Sequence, residues 1–247
     1  MIEFLKDRAT VRQYTYEPVL DETLNELFEA AFRASNTGNM QLYSVVVTRD
    51  EEMKQQLAPC HFNQPSITQA PVVLTFCADF NRFTQWCEYN KAIPGYENFI
   101  SFFTAAIDAT IMAQTFAIAA ESKGLGICYF GTTNYLTEKI STILQLPRLV
   151  VPITTITLGY PVNIPIKTDR LPLQGLIHKE VYHDYSKESI QHLYAEKENL
   201  PEMKQFVADN NKETLAQVFT DVRYTKKNNE TFSAMLLDFI KKQGFTF

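Results

Sequence analysis

The sequence predicts an α+β fold, an α/β sandwich in which helices pack around one central sheet. Three observations carry that prediction. Segments of helical periodicity alternate with short runs rich in β-branched residues, the pattern of elements gathered on a single sheet. Of the 247 residues, 45% are apolar, enough for a sizeable core. The stretch from Asn98 to Lys123 carries apolar or small residues on nearly every side (Ile100, Phe103, Ala106, Ile107, Ile111, Ala113, Ala117, Ala120), so it is buried on several faces. The length accommodates one large domain as readily as two small ones.

In chain order, Leu20 to Arg33 is an amphipathic helix that starts at Asp21 and repeats Leu24, Leu27, Phe28 and Ala31 at helical spacing. The small and amide side chains of Ser35 to Gln41 suit a loop that hydrogen-bonds a ligand or an ordinary helix–strand turn. Tyr43 to Thr48 is a β-branched strand. Glu51 to Leu57 is a short helix. Pro71 to Ala78 is a near-continuous apolar strand of the kind covered on both faces. The long helix then runs from Asn98 to Lys123; its small residues suit a central helix in a subunit interface, and Gly124 ends it. Leu125 to Phe130 is a third strand, Thr137 to Leu144 a helix, and Val150 to Leu158 a fourth strand ending at Gly159-Tyr160-Pro161. Ile164 to Pro172 is an irregular loop. Beyond His183 the pattern is helical and polar, and its last helix, near Glu230 to Lys242, places Phe232, Met235, Leu236 and Phe239 on one face.

Composition narrows the function. The formal net charge is −5 with acids and bases interspersed, which argues against nucleic acid as the main partner. Eight glycines and no G-x-G-x-x-G string argue against a glycine-rich dinucleotide loop. Cys60, Cys77, Cys87 and Cys128 form no C-x-x-C pair, and His61, His178, His183 and His192 follow no zinc spacing, so reduced thiols in a cytoplasmic protein and no metal are expected. No signal peptide is visible. The apolar window Ala105 to Ala120 contains Asp108 and Gln114 and is short for a span, so no membrane is expected. Adjacent Cys60 and His61 make a poor nucleophile–base pair for a hydrolase, with no oxyanion-hole motif to assist them.

The most informative segment lies near the N-terminus: Arg8-Ala9-Thr10-Val11-Arg12-Gln13-Tyr14. Two arginines four residues apart bracket a hydroxyl. Planar, permanently charged guanidinium forks and a hydroxyl suit a phosphate monoester. A second basic cluster, Lys167-Thr168-Asp169-Arg170, has the composition to close on the same anion.

Taken in order, these strings resemble the FMN-dependent nitroreductase family, in the branch of NADPH-dependent nitroreductases and flavin reductases with an extended C-terminal segment. The opening string resembles R-x-S-x-R-x-F, and Asn36 to Gln41 resembles a small-polar S-S-x-N-x-Q loop. Phe76-Cys77-Ala78-Asp79-Phe80-Asn81-Arg82 looks like a signature of that branch. Gly124-Leu125-Gly126, Gly159-Tyr160-Pro161 and Arg170-Leu171-Pro172 resemble further landmarks, and Leu237 to Gly244 resembles the branch's C-terminal helix.

The resemblance implies a central mixed, mostly antiparallel sheet flanked by helices. It implies one nitroreductase-like domain over residues 1–247, with 184–247 a helical C-terminal extension, and an intertwined homodimer with FMN at the interface. It places Arg8, Thr10 and Arg12 on the FMN phosphate with Arg170 and Lys167, and allows Ala9 a backbone contact only. Ser35, Asn36, Thr37 and Asn39 would approach from the partner subunit, with Gln64, Tyr129 and Gly131 beside the ring. Here Thr168 stands at the usual lysine position, with Lys167 one residue earlier. The implied chemistry is hydride transfer from NADPH or NADH to electron-poor small-molecule acceptors (nitroaromatics, quinones, free flavin) by ping-pong turnover. The cofactor carries the reaction, so no side chain is expected as an acid–base catalyst. Arg223, Lys226 and Lys227, with Lys212 behind them, are the candidates for the NADPH 2′-phosphate. A flavin-binding protein for storage or sensing is the alternative reading.

Overall fold

In the computed structural model, which describes residues 2–163 and 165–246, four strands form one sheet: β1 (Tyr43–Thr48), β2 (Val72–Asp79), β3 (Gly126–Phe130) and β4 (Val150–Gly159). Their spatial order is β1-β2-β4-β3, and every neighbouring pair is antiparallel. The expected mostly antiparallel sheet is found. The parallel pairing seen among the described residues is an isolated bridge between Asn98 and Thr246, outside the sheet. β2 and β4 are the inner strands, and β2 is buried at all eight positions, which explains its uninterrupted apolar run.

The helices are α1 (Ile2–Lys6), α2 (Asp21–Ala31), α3 (Glu51–Leu57), α4 (Pro65–Gln69), α5 (Asn81–Tyr89), α6 (Phe99–Ser122), α7 (Thr137–Ile143), α8 (Lys187–Asn199), α9 (Pro201–Asp209), α10 (Leu215–Gln217) and α11 (Lys226–Lys242). The sequence reading misses α1, α4 and α5. The first two are single turns, too short for a periodic signal. α5 buries only Thr84 and Cys87 fully, with Phe83 packed on the core, so its apolar face is short.

α6 organises the core. The Asn98 side chain caps it by accepting from the Ser101 amide at 3.0 Å, and Gly124, with φ 78°, supplies the left-handed turn beyond its end. Its buried residues (Ala109, Met112, Ala113, Phe116, Ala117, Ala120) meet Leu24 and Leu27 of α2 and Leu74, Phe76 and Ile156 of the sheet. The helix is 24 residues long, longer than the apolar window that looked too short for a span, and long and apolar enough to cross a membrane. It is instead packed on α2 and all four strands. Ile100, Phe103, Ile107 and Ile111 stay exposed as a stripe at spacings of three and four.

Two compact units are distinguished. One comprises residues up to Ile166 together with those from Phe232 onward; the other is Lys167–Thr231. The end of α11 belongs to the first unit, where Phe239, Ile240 and Phe245 join the core beneath Phe80 and Phe102. The second unit holds α8, α9 and α10, the last running into a π turn over Val218–Arg223. In it Gly175 lies so close to Leu193 that an added Cβ would come within 2.1 Å of that side chain. The loop expected from Ile164 to Pro172 begins at a residue outside those described; residues 165–172 are irregular as expected.

Candidate functional site

The arginine-bearing N-terminal segment is laid across the ends of β3 and β4. The Val11 amide donates to the Ile127 carbonyl at 3.0 Å, the Thr15 amide to Tyr160 O at 2.8 Å and the Val162 amide to Gln13 O at 3.1 Å. The buried Tyr14 hydroxyl hydrogen-bonds the Thr157 hydroxyl at 2.6 Å and donates to the Val11 carbonyl at 2.9 Å. Two glycines make room. Gly126 and Gly159 face each other across the β3–β4 ladder. A Cβ on Gly126 would lie 2.5 Å from the Val11 Cβ, and one on Gly159 would lie 2.7 Å from Pro71 and 2.9 Å from Tyr14. The glycines of the G-L-G and G-Y-P strings therefore position the arginine segment.

Arg8 and Arg12 differ in their surroundings. The Arg8 Nε donates to Glu121 Oε2 at 2.9 Å, with the carboxylate side chain only 8% exposed. Glu121 Oε1 and the neighbouring Tyr129 hydroxyl are buried without a hydrogen-bond partner. Burial pushes the Glu121 carboxyl upward, and Arg8 opposes that rise. Burial likewise pushes the Tyr129 phenol upward. Arg12 is exposed on the same side and reaches the Cys128 sulfur. Thr10 and Ala9 lie between them, both half-buried.

The loop from Ser35 to Gln41 is wound through left-handed residues: Gly38 (φ 55°), Asn39 (φ 56°) and Gln41 (φ 54°). It is held by Asp108, a carboxylate buried in the otherwise apolar α6. Asp108 accepts from the Thr37 amide at 3.0 and 3.1 Å and from the Thr37 hydroxyl at 3.0 Å. Asn36 Oδ1 accepts from the Gln41 amide at 3.1 Å, and Asn39 Oδ1 accepts from the Gln41 side chain at 3.3 Å. Asn36 and Thr37 are thus engaged in shaping the loop, while Ser35 and Asn39 are exposed. The sequence singles out Asp108 only as an argument against a membrane span, and it does not single out Glu121. An acid inside a long apolar helix is the signal that could have found both.

Gln64 and Gly131 lie on two short loops that are clipped together. The buried His61 Nδ1 hydrogen-bonds the Thr132 hydroxyl at 2.8 Å, and its ring stands edge-on to Phe130 with centroids 5.3 Å apart. His61 Nε2 is buried without a partner, and burial lowers its pKa from 6.5 to about 4. Cys60 beside it is buried, and burial pushes its thiol upward. A neutral, sequestered imidazole and a thiol held in its protonated form do not make a hydrolase dyad. Gly131 is exposed, and a Cβ there would meet nothing within 4 Å, so its backbone faces open space.

Lys167, Arg170, Arg223, Lys226 and Lys227 belong by sequence to the second unit. Arg170 curls onto its own loop, its Nη1 donating to the Thr168 hydroxyl at 2.7 Å and to the Asp169 carbonyl at 2.8 Å. The intervening Asp169 is neutralised by Lys197 at 2.8 Å. Arg170 and Arg223 line one cavity of about 490 Å³ with Lys197, Phe206 and Phe219, and the Arg223 guanidinium lies 5.2 Å from the Phe206 ring centre. Lys226 stands 3.7 Å from Glu230, Lys227 is exposed, and Lys212 is paired with Asp221 at 2.9 Å.

The first unit therefore presents two arginines and a threonine on one strand-like segment, an open glycine backbone and a nearby amide side chain. That donor set fits a phosphate monoester attached to a flat polar ring. The residues that shape it match a known family. The model of the nitroreductase family matches residues 5–160. An "FMN reductase [NAD(P)H]" from Bacillus subtilis (strain 168) is 32% identical over 99% of this chain and 97% of its own length. A solved protein from Bacteroides fragilis NCTC 9343 is 56% identical, covering 99% of this chain and 100% of its own, with a TM-score of 0.98. The NfrA1 nitroreductase from Bacillus subtilis is 29% identical with a TM-score of 0.86, covering 99% and 98%.

Proposed function

The chain belongs to the nitroreductase family, and from that premise we propose that it is an FMN-dependent oxidoreductase taking electrons from NADPH or NADH and passing them to nitroaromatics, quinones or free flavin. The observation that carries this reading is the Arg8-to-Tyr14 segment seated over Gly126 and Gly159, with Arg12 exposed for an anion. The orphaned Glu121 Oε1 and Tyr129 hydroxyl lie beside Arg8 as polar groups whose partner would come from outside the chain.

When bound, FMN would supply two-electron redox chemistry between a nicotinamide and a second substrate. The chain's own residues bind and orient. Arg8, Thr10 and Arg12 would grip the phosphate, and Ala9 would contribute only its backbone. Ser35, Asn36, Thr37 and Asn39 approach from the partner subunit. The Gln64 side chain and the backbone around Tyr129 and Gly131 would border the ring. No side chain serves as an acid or base.

The exposed stripe Ile100, Phe103, Ile107 and Ile111, an apolar face on the central helix, supports a homodimer in which a second copy covers it. Arg223, Lys226 and Lys227 are the exposed cations offered to the 2′-phosphate of NADPH, Arg223 lining a cavity beside Phe206. The enzyme works in the cytoplasm, in keeping with four free, buried cysteines, as one functional domain whose region 184–247 extends the basic fold. A storage or sensing role without turnover is the weaker reading, since the named relatives are reductases.

The experiment is spectroscopic. Purified protein should bind FMN, lose the flavin absorption rapidly on adding NADPH, and recover it on adding a nitrofuran or a quinone. Protein that binds FMN but bleaches slowly or not at all would be a flavin carrier, and protein that ignores FMN would fit neither reading.

A further inference from the structure

Phe62, Tyr135 and Phe232 come from three distant parts of the chain and meet in the first unit. Tyr135 and Phe232 stack with centroids 4.5 Å apart and planes 13° from parallel. Phe62 adjoins both, at 6.0 and 6.3 Å. Tyr135 and Phe232 are half-buried, and Phe62 is 51% exposed. Phe62 and Asn63 both have φ 54°, a left-handed backbone that non-glycine residues adopt reluctantly. The local fold thus holds a phenyl ring outward where burial would be favoured.

The placement of these rings joins them to the candidate site. Phe62 precedes Gln64 by two residues, and Tyr135 follows Gly131 by four. The Gln64 amide donates to the His61 carbonyl at 3.2 Å, the Tyr135 amide to the Thr132 carbonyl at 3.0 Å, and the His61–Thr132 side-chain bond closes the pair of loops. The rings are therefore fixed to the same two backbones that carry Gln64 and Gly131. Phe232 packs on them from α11, buttressing the outer ring.

We propose that Phe62, Tyr135 and Phe232 form a subsite for planar, electron-poor aromatic acceptors, which rests on the FMN reading above. Electron-rich faces of phenyl and phenol rings complement the electron-poor face of a quinone or nitroaromatic, and stacking favours flat over non-planar acceptors. The chain then discriminates between acceptors through these three rings.

The test uses the FMN-loaded enzyme. Menadione is titrated into the oxidised protein while the flavin absorption band is followed, and KM is measured for menadione and for ferricyanide, a non-aromatic acceptor. Phe62→Ala and Phe232→Ala should each weaken menadione binding roughly three- to tenfold and raise the menadione-to-ferricyanide KM ratio by a similar factor. Should Phe62→Ala lose FMN, Phe62→Leu keeps the bulk, removes the ring and carries the same comparison. Variants that retain FMN and bind menadione within about twofold of wild type overturn the subsite and leave the oxidoreductase intact. Wild-type protein that takes up no FMN overturns both.

Discussion

At the scale of single residues, charge and burial decide what can be tested. Replacing Arg8 or Arg12 by alanine should weaken FMN retention by about 1.5–3 kcal/mol for each lost charged hydrogen bond, roughly 10- to 150-fold in Kd. Equilibrium dialysis of FMN would show this, and unchanged affinity in both variants would remove them from the phosphate site. His61 gives a pH signature. Burial holds its pKa at about 4 against an ordinary 6.5, so the unfolded chain binds the proton first. Stability is fully present above pH 6.5 and is lost as pH falls toward 4, by up to about 3 kcal/mol. Denaturant midpoints of His61→Gln should be flatter across that window; an identical slope would show that another group is responsible. Glu121 acts in the opposite sense. Its raised carboxyl favours the folded state at low pH and withdraws that contribution as pH climbs above 4.5.

At the scale of elements, close approach matters more than composition. Gly126→Ala would drive a Cβ to within 2.5 Å of Val11 and push the arginine segment off β3. The expected result is a loss of about 1–3 kcal/mol of stability together with weaker FMN binding; if FMN affinity were unchanged, the segment would have another support. Most of the strands and the long helix are legible in the sequence to within a residue or two: Tyr43–Thr48 is read directly, and Asn98–Lys123 narrows to Phe99–Ser122. Those elements announce themselves through β-branched runs, apolar repeats, the Asn98 cap and the Gly124 stop, all of which are local. The short helix Asn81–Tyr89 is missed because its apolar face, Phe83 and Cys87, covers little more than one turn.

At the scale of the whole molecule, the exposed stripe on α6 should be the seam between two copies. Placing glutamate at both Ile100 and Ile107 would put charges in that apolar face, where burial without a partner is costly. Light scattering should then show a monomer, and FMN retention should fall with dimerisation if Ser35 and Asn39 of the partner complete the pocket. A variant that stays dimeric would place the interface elsewhere.

The sequence alone was enough to determine the kind of elements, the arginine pair that suits a phosphate, and the resemblance that gave those arginines a cofactor. Periodicity, caps and string order need no partner from elsewhere in the chain. Tertiary structure decided the rest: the strand order β1-β2-β4-β3, the pairing of Arg8 with Glu121 across 113 residues, the anchoring of Thr37 by Asp108 across 71, and the meeting of Phe62, Tyr135 and Phe232. Each depends on which surfaces pack together once the chain has collapsed, and contacts of such long sequence separation leave no period or spacing to read beforehand.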